Sequence, residues 1–437
     1  MASPAPIDTA RIGRALLFTL AGLGLFGLLL ATGALSSFGV PQLFHESAGG
    51  PLPLLFLDWR VLLAAFDCQR LGVDVYLSNG CDPLGRVHVY PPLWLDLGRL
   101  GLTQADIHWS APLLVAAGLG AMAWCFDLTT PWRWLLALAV ACSPAFVFAY
   151  ERANVDLLIY LLVVLAMGLY GARSYRVGCG GDLFIALAIL LKIYPLALLP
   201  LVVVHALRRG VGRALLRLGL IALVVLGYSW TQWEATLGIL RNVPSHQAPE
   251  AFGAPILIDA LTLAGWTVPA WLAERAAQFL LYLGLVAGAY RGLRGVAWER
   301  LGTPASRWLL VAGTLLLAFC YFANRNLDYR LVLVALLVPY LAACMRHDAG
   351  PRVRLLAAGL LTLLLLTCWA LWPLGHLVIR APGQAVMIRP GQGGLMIALW
   401  AGKQLVLGGA LVLLGAIAAH LAVRRPWGPP GRPAALA

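Results

Sequence analysis

Runs of about 20 apolar residues recur along this chain from end to end, and no other feature constrains its fold as strongly. Each run, wound as a helix, can cross the ~30 Å hydrocarbon core of a bilayer. A spanning segment must satisfy its own backbone polar groups, which leaves helices or closed barrels. The residue alternation of a barrel strand is absent. Composition agrees, with 61% of the 437 residues hydrophobic and 12% charged; a soluble chain carries about twice that charged share. The sequence predicts an all-α polytopic membrane protein with no water-soluble domain, so that 1–437 is one integral membrane unit.

Spans are expected at 15–40, 109–127, 131–150, 155–172, 218–233, 276–293, 307–323, 329–345, 353–375 and 395–422. The net charge of +13 suggests nucleic acid at first sight. The basic residues, all Arg except Lys192 and Lys403, fall instead in short gaps between spans, as topology signals do. No nucleic-acid partner is expected. Arg11 and Arg14 place the N-terminus in the cytoplasm. The apolar run behind them exceeds the ~7–15 residue core of a cleaved signal peptide, so it reads as the first span. Alternation then puts 41–108 outside as the first extracytoplasmic loop. Its seven acids and four Arg leave it at −3, which suits that side.

The segment 183–207 carries Lys192 and Pro195 at its middle. Proline kinks a helix, and a mid-membrane Lys is costly unless it faces a cavity or partner. A single crossing would also put Arg208, Arg209, Arg213 and Arg217 outside. Read as a broken, re-entrant helix pair, the segment keeps that cluster inside, and 19 of the 32 basic residues then lie on the cytoplasmic side. An ordinary crossing with a proline kink is the alternative. The expected bundle has about ten full transmembrane helices plus this hairpin, with both termini cytoplasmic. Interfacial helices are expected in the first external loop, a second external loop at 234–275, and a Pro/Arg-rich tail at 423–437.

Of eight Cys, only Cys68 and Cys81 fall in an external loop. Disulfides persist in oxidising compartments, so these two can pair, closing a short loop worth up to ~3 kcal/mol in the chain-entropy model. Two free thiols are the alternative. No His or Cys cluster has metal-ligand spacing, so no metal is expected.

Polar residues stand out against so apolar a background. Asp58, in LFLDWRVLLAAF, begins an interfacial helix and suits an N-cap and a general base at the lip of a cavity, roles that are compatible in sequence. Asp74, Tyr76, Asp82, Arg86 and Tyr90 follow in one loop. Interfacial preference accounts for Tyr90 and Trp94 but leaves Asp74 unexplained. The segment 151–156, ERANVD, with Asn154, is an ion-paired helix start or part of a site. In NRNLDYR, Arg325 and Arg330 flank Asp328 and leave positive charge suited to a phosphate. Lys192 and Tyr194 lie at the hairpin tip, where a cation can neutralise an anionic headgroup. His246 is the lone external histidine of the second loop. One base and several cations suit a lipid-linked phosphate donor with a polar acceptor. A phosphate leaving group needs charge stabilisation, and one carboxylate with one displacement gives inversion.

Asp58-Trp59-Arg60-Val61, then Ala65, then Gly72-Val73-Asp74-Val75-Tyr76, then Tyr90-Pro91-Pro92, resembles the opening of glycosyltransferase family 87, of the GT-C superfamily. Leu191-Lys192-Ile193-Tyr194-Pro195 is similar to that family's Lys–Pro membrane segment, and Asn154 lies in a junction similar to its Asn-bearing helix start. The similarity runs over about residues 15–345. It implies a GT-C-like bundle, a polyprenyl-phosphate-sugar donor, extracytoplasmic transfer with inversion, Asp58 as catalytic aspartate, and no metal or further cofactor. Tyr76 and Tyr90 match motif positions. The Cys68–Cys81 pair and NRNLDYR are not general features of the family and point to a subgroup.

The expected protein is a bacterial inner-membrane glycosyltransferase. It would move mannose or another hexose to an envelope glycolipid or glycan, with Lys192, Arg325, Arg330 and His246 on the donor phosphate. A flippase of lipid-linked glycans needs no positioned base. A glycan polymerase or ligase carries its main loop late in the chain, whereas here the largest external loop comes first.

Overall fold

A computed structural model of the chain describes residues 8–40, 44–47, 50–53, 55–172, 174–242, 250–379, 387–388 and 391–423. Among these, six helices are long and apolar enough to cross a bilayer: Thr9–Ala31, Gln104–Phe126, Val211–Thr231, Pro304–Ala323, Pro351–His376 and Gly393–Val423. Pro131–Ala141 and Pro144–Glu151, bent by 59°, make a seventh if counted together. The bend has a local cause. The Ser143 hydroxyl donates to the Val140 carbonyl (2.7 Å), and Pro144, which has no N–H to continue the ladder, opens the next helix. Described strands are confined to three short two-stranded pairs. The chain is an all-α, multi-pass membrane protein whose solvent is the lipid bilayer. Its Pro304–Ala323 helix is the centre: its apolar stretch is 78% buried, against 11% for Thr9–Ala31 and 17% for Val211–Thr231.

Three of the ten expected spans take another form. Asp156–Tyr170 has 15 residues, about 22 Å of helix, and is short for a full crossing. Arg275–Gly292 includes Gln278 and Arg291 and falls below the apolar density of the six. The expected span 329–345 is a 3-10 run, Asp328–Leu336, followed by the seven-residue helix Val338–Cys344. Leu331 to Val338 are each 0–1% exposed. An apolar run with no polar stripe fits a protein core as well as a lipid span, and periodicity alone does not separate them.

The segment 183–207 doubles back. Its first helix, Gly181–Leu191, stops at Lys192, whose backbone is extended (φ −158°, ψ 144°). A 3-10 turn, Tyr194–Leu198, leads into Leu199–Leu207. The two ends meet: the His205 ring stacks on Tyr170 (4.4 Å) and Tyr175 (5.1 Å), and Gly178 lies so close that a Cβ there would sit 2.7 Å from His205 Nε2. Arg217 clasps Asp182 with two guanidinium nitrogens and donates to His205 Nδ1. Lys192 is carried to the opposite end, beside Asp156. This irregular backbone is lined by protein, which is where a membrane tolerates it.

The C-terminal helix Gly393–Val423 pins two loops. Lys403 Nζ donates to both carboxylate oxygens of Asp328 at 3.0 Å, and both side chains are fully buried. Gln404 accepts from Gly253 N–H (3.0 Å) and donates to the Ala251 carbonyl (3.3 Å). Ala251–Phe252 pairs in turn with Asn326–Leu327. Gly253 is required there: its φ is +141°, and a Cβ would fall 2.7 Å from the Asn324 carbonyl.

Candidate active site

Asp58 is the second residue of the helix Leu57–Arg70. It is not the N-cap. That position belongs to Phe56, whose side chain makes no capping bond. The helix N-terminus abuts a helix C-terminus instead. Phe56 N–H donates to the Glu151 carbonyl (2.7 Å), and Asp58 and Trp59 N–H donate to the Arg152 carbonyl (3.1 and 3.3 Å). Orphan donors of one helix thus meet orphan acceptors of the next. The junction uses left-handed backbone at two non-glycine residues, Phe56 (φ +57°) and Ala153 (φ +42°), each costing roughly 1–2 kcal/mol. Strain of this kind persists where surrounding contacts over-determine it.

Released from capping, the Asp58 carboxylate faces inward. Asn154 Nδ2 donates to Oδ2 (2.5 Å), and Arg152 Nη1 donates to Oδ1 (3.2 Å). The same Asn154 accepts from Asp156 N–H through its Oδ1 (2.8 Å), so both ends of the amide are committed and its orientation is set. Asp156 is the hub of a second cluster. Lys192 Nζ and the Tyr194 hydroxyl donate to its Oδ1 (2.5 and 3.0 Å), and Arg330 Nε lies 3.5 Å from Oδ2. Arg330 also covers the Tyr194 ring at 5.6 Å, and Lys192 Nζ stands 5.7 Å from the centre of the Tyr90 ring. Three carboxylates (Asp58, Asp156 and Glu151, whose Oε2 lies 4.0 Å from Arg152 Nε) and three cations therefore share one polar seam in an apolar bundle. The Asp58 side chain keeps about 10% exposure, whereas that of Asp156 has none.

An aromatic wall backs this seam. Rings run Tyr76, His88, Tyr90, Trp94, Trp59, with successive centroids 5.2, 5.7, 6.5 and 5.9 Å apart. Trp94 Nε1 donates to the Leu191 carbonyl (3.0 Å), capping the first half of the hairpin, and Trp59 Nε1 donates to Ser110 (2.8 Å). The loop that carries the wall also grips the Asp58 helix at both ends. Cys81 is disulfide-bonded to Cys68 near the helix C-terminus. Arg86, itself forked onto Asp82 (2.9 and 2.7 Å), donates to the Leu57 carbonyl (3.1 Å) at the N-terminus.

His88 is fully buried in that wall, and neither of its ring nitrogens has a hydrogen-bond partner among the described residues. Burial pushes its pKa down to about 3, against about 6.5 when unfolded. The folded loop therefore binds fewer protons between these values. Its stability is complete above pH ~6.5 and is lost as pH falls, by about 1.4 kcal/mol per pH unit. Hydrogen exchange of the 71–92 loop is expected to speed up between pH 7.5 and 5.5 relative to the bundle, and His88→Phe is expected to remove the difference. Equal acceleration in both proteins would show that another group is responsible.

Asp58, Asn154, Lys192, Tyr194, Arg330 and Tyr90 thus converge, and Tyr76 joins through its hydroxyl on the Tyr90 carbonyl (3.2 Å). Other expected site residues go elsewhere. Arg325 is forked onto Asp259 (2.7 and 2.8 Å). Asp328 is the buried partner of Lys403. Asp74 is exposed and accepts from Tyr76 N–H (3.0 Å), a local turn in place of a site contact. His246 lies outside the described residues. Arg152 and Asp156, which the sequence offers only as members of the 151–156 segment with no role of their own, are central. The available signal was an Asp in the first turn of an otherwise apolar helix, an arrangement that demands a partner. No family model matches the chain, and no curated protein or solved structure matches it either.

Proposed function

We propose that the protein is an inverting glycosyltransferase with a GT-C-like bundle in the bacterial inner membrane. It moves a hexose, mannose or another, from a polyprenyl-phosphate carrier to an envelope glycolipid or glycan on the extracytoplasmic face. One observation carries the reading: the Asp58 carboxylate, about 10% exposed, is joined through the single side chain of Asn154 to a cluster holding two cations, Lys192 and Arg330, about 10% and 24% exposed. Lys192 and Arg330 receive the donor phosphate and stabilise the charge that develops as the C1–O bond to phosphate breaks. Asp58 takes the proton of the acceptor hydroxyl as it attacks C1 from the opposite face. Asp156 is held by Lys192 and Tyr194 with Arg330 alongside, and Glu151 is buried beyond Arg152, so one carboxylate remains to face the acceptor. Retention through a covalent intermediate would need a second. The resemblance of the first loop and of the Lys–Pro hairpin to glycosyltransferase family 87 supports the same donor class.

The test is transfer by the purified protein in lipid vesicles supplied with a polyprenyl-phosphate hexose and an envelope lipid extract. A product of inverted anomeric configuration is expected. Retained configuration, or turnover only with diphosphate-linked or nucleotide donors, would end this reading.

A further inference from the structure

The charge count of the seam carries a consequence for what leaves it, on the premise that the pocket holds a lipid-linked phosphate as proposed above. Asp58 is paired with Arg152, beyond which Glu151 Oε2 lies 4.0 Å from Arg152 Nε. The phosphate-facing group is then Lys192 and Arg330 against Asp156, a net charge of +1. Tyr194 adds a neutral hydroxyl. A phosphodiester donor carries one negative charge and neutralises this group. The transfer step breaks the bond from C1 to the phosphate oxygen, forms the bond from C1 to the acceptor oxygen and delivers the acceptor proton to Asp58. The phosphate leaves as a monoester, which near neutral pH approaches two negative charges because its second pKa is about 6. A dianion would bring the buried group to −1, and an uncompensated buried charge is strongly unfavourable. The geometry also has slack where it is needed: Arg330 Nε and Asp156 Oδ2 are both buried, 3.5 Å apart, and form no hydrogen bond with each other or with any described residue.

We infer that Asp156 is the release and selectivity residue of the pocket. By cancelling one of two cations, it matches the site to a singly charged phosphodiester, so that the doubly charged product is held less tightly than the donor. Without Asp156, the two cations would face the dianion unopposed and retain it.

Two measurements test this, both by equilibrium binding to the full-length protein in nanodiscs. The probes are a polyprenyl phosphate monoester and its methyl diester. In the wild-type protein, monoester affinity is expected to fall at least tenfold between pH 5 and pH 8 relative to the diester. The diester keeps one charge throughout and reports any titration of the protein itself. Monoester affinity that holds or rises relative to the diester would overturn the role of Asp156. In Asp156→Asn, monoester affinity at pH 8 is expected to rise at least tenfold, with kcat reduced by product retention; unchanged affinity would also overturn it. Asp156→Asn leaves Lys192 without its buried partner, so if that variant does not fold, the wild-type comparison decides alone. Failure of both lipids to bind removes the phosphate pocket itself, and with it the proposed function. Binding with the opposite pH dependence removes only the assignment of Asp156.

Discussion

Asp58→Asn is expected to lower the transfer rate by about 10²–10⁴-fold, the range a positioned general base contributes, with little change in donor KM. Asn occupies the same space and can accept from one of the two donors that hold the carboxylate, Asn154 Nδ2 and Arg152 Nη1. Its amide NH2 meets the other donor, a mismatch worth about 1–3 kcal/mol. The helix itself stays anchored by the Phe56, Asp58 and Trp59 backbone bonds and by the Cys68–Cys81 disulfide. A folded but nearly inactive variant is therefore expected, separable from an unfolded one by its elution profile and intact disulfide. Lys192→Met provides the contrast, raising donor KM and lowering kcat together, where Asp58→Asn lowers kcat alone. Full activity in Asp58→Asn would remove the base from the mechanism.

Lys403→Met is expected to destabilise the bundle by about 3–5 kcal/mol, because it deprives the buried Asp328 carboxylate of the ammonium bound to both of its oxygens. Removing both partners is a different experiment. Replacing a buried pair with apolar residues of similar volume is often neutral or stabilising, so Lys403→Met with Asp328→Leu should recover most of the loss. Thermal unfolding in detergent of the two single variants and the double variant measures the coupling directly. A single-variant loss below about 1 kcal/mol would show that water or another cation reaches Asp328.

How far the sequence discloses this molecule depends on the range of the interaction involved. Class and helix placement follow from local apolar density, which is why Pro304–Ala323 and Gly393–Val423 fall close to the expected spans 307–323 and 395–422. The doubling back at 183–207 is legible because Lys192 and Pro195 are individually improbable inside a crossing helix. The run 329–345 misleads because lipid and a protein interior place the same demand on Leu and Val. At the site, Asp58 and Lys192 are legible as lone charges, but what tells Arg330 from Arg325 is distant in the chain. Asp156 claims one and Asp259 the other, and no local pattern encodes that choice. The Asp328–Lys403 pair, 75 residues apart, is hidden for the same reason.

The double grip on the Leu57–Arg70 helix also bears on when the protein becomes competent. One chain segment holds the helix covalently at Cys68 and, through Arg86, at Leu57, next to the reactive carboxylate. A newly inserted chain whose thiols are still reduced contains every residue of the seam but lacks one of the two fastenings of that helix. On the proposed reading, activity is thus a property acquired after export of the first loop. On the same reading, oxidation beyond the membrane would serve as a maturation step.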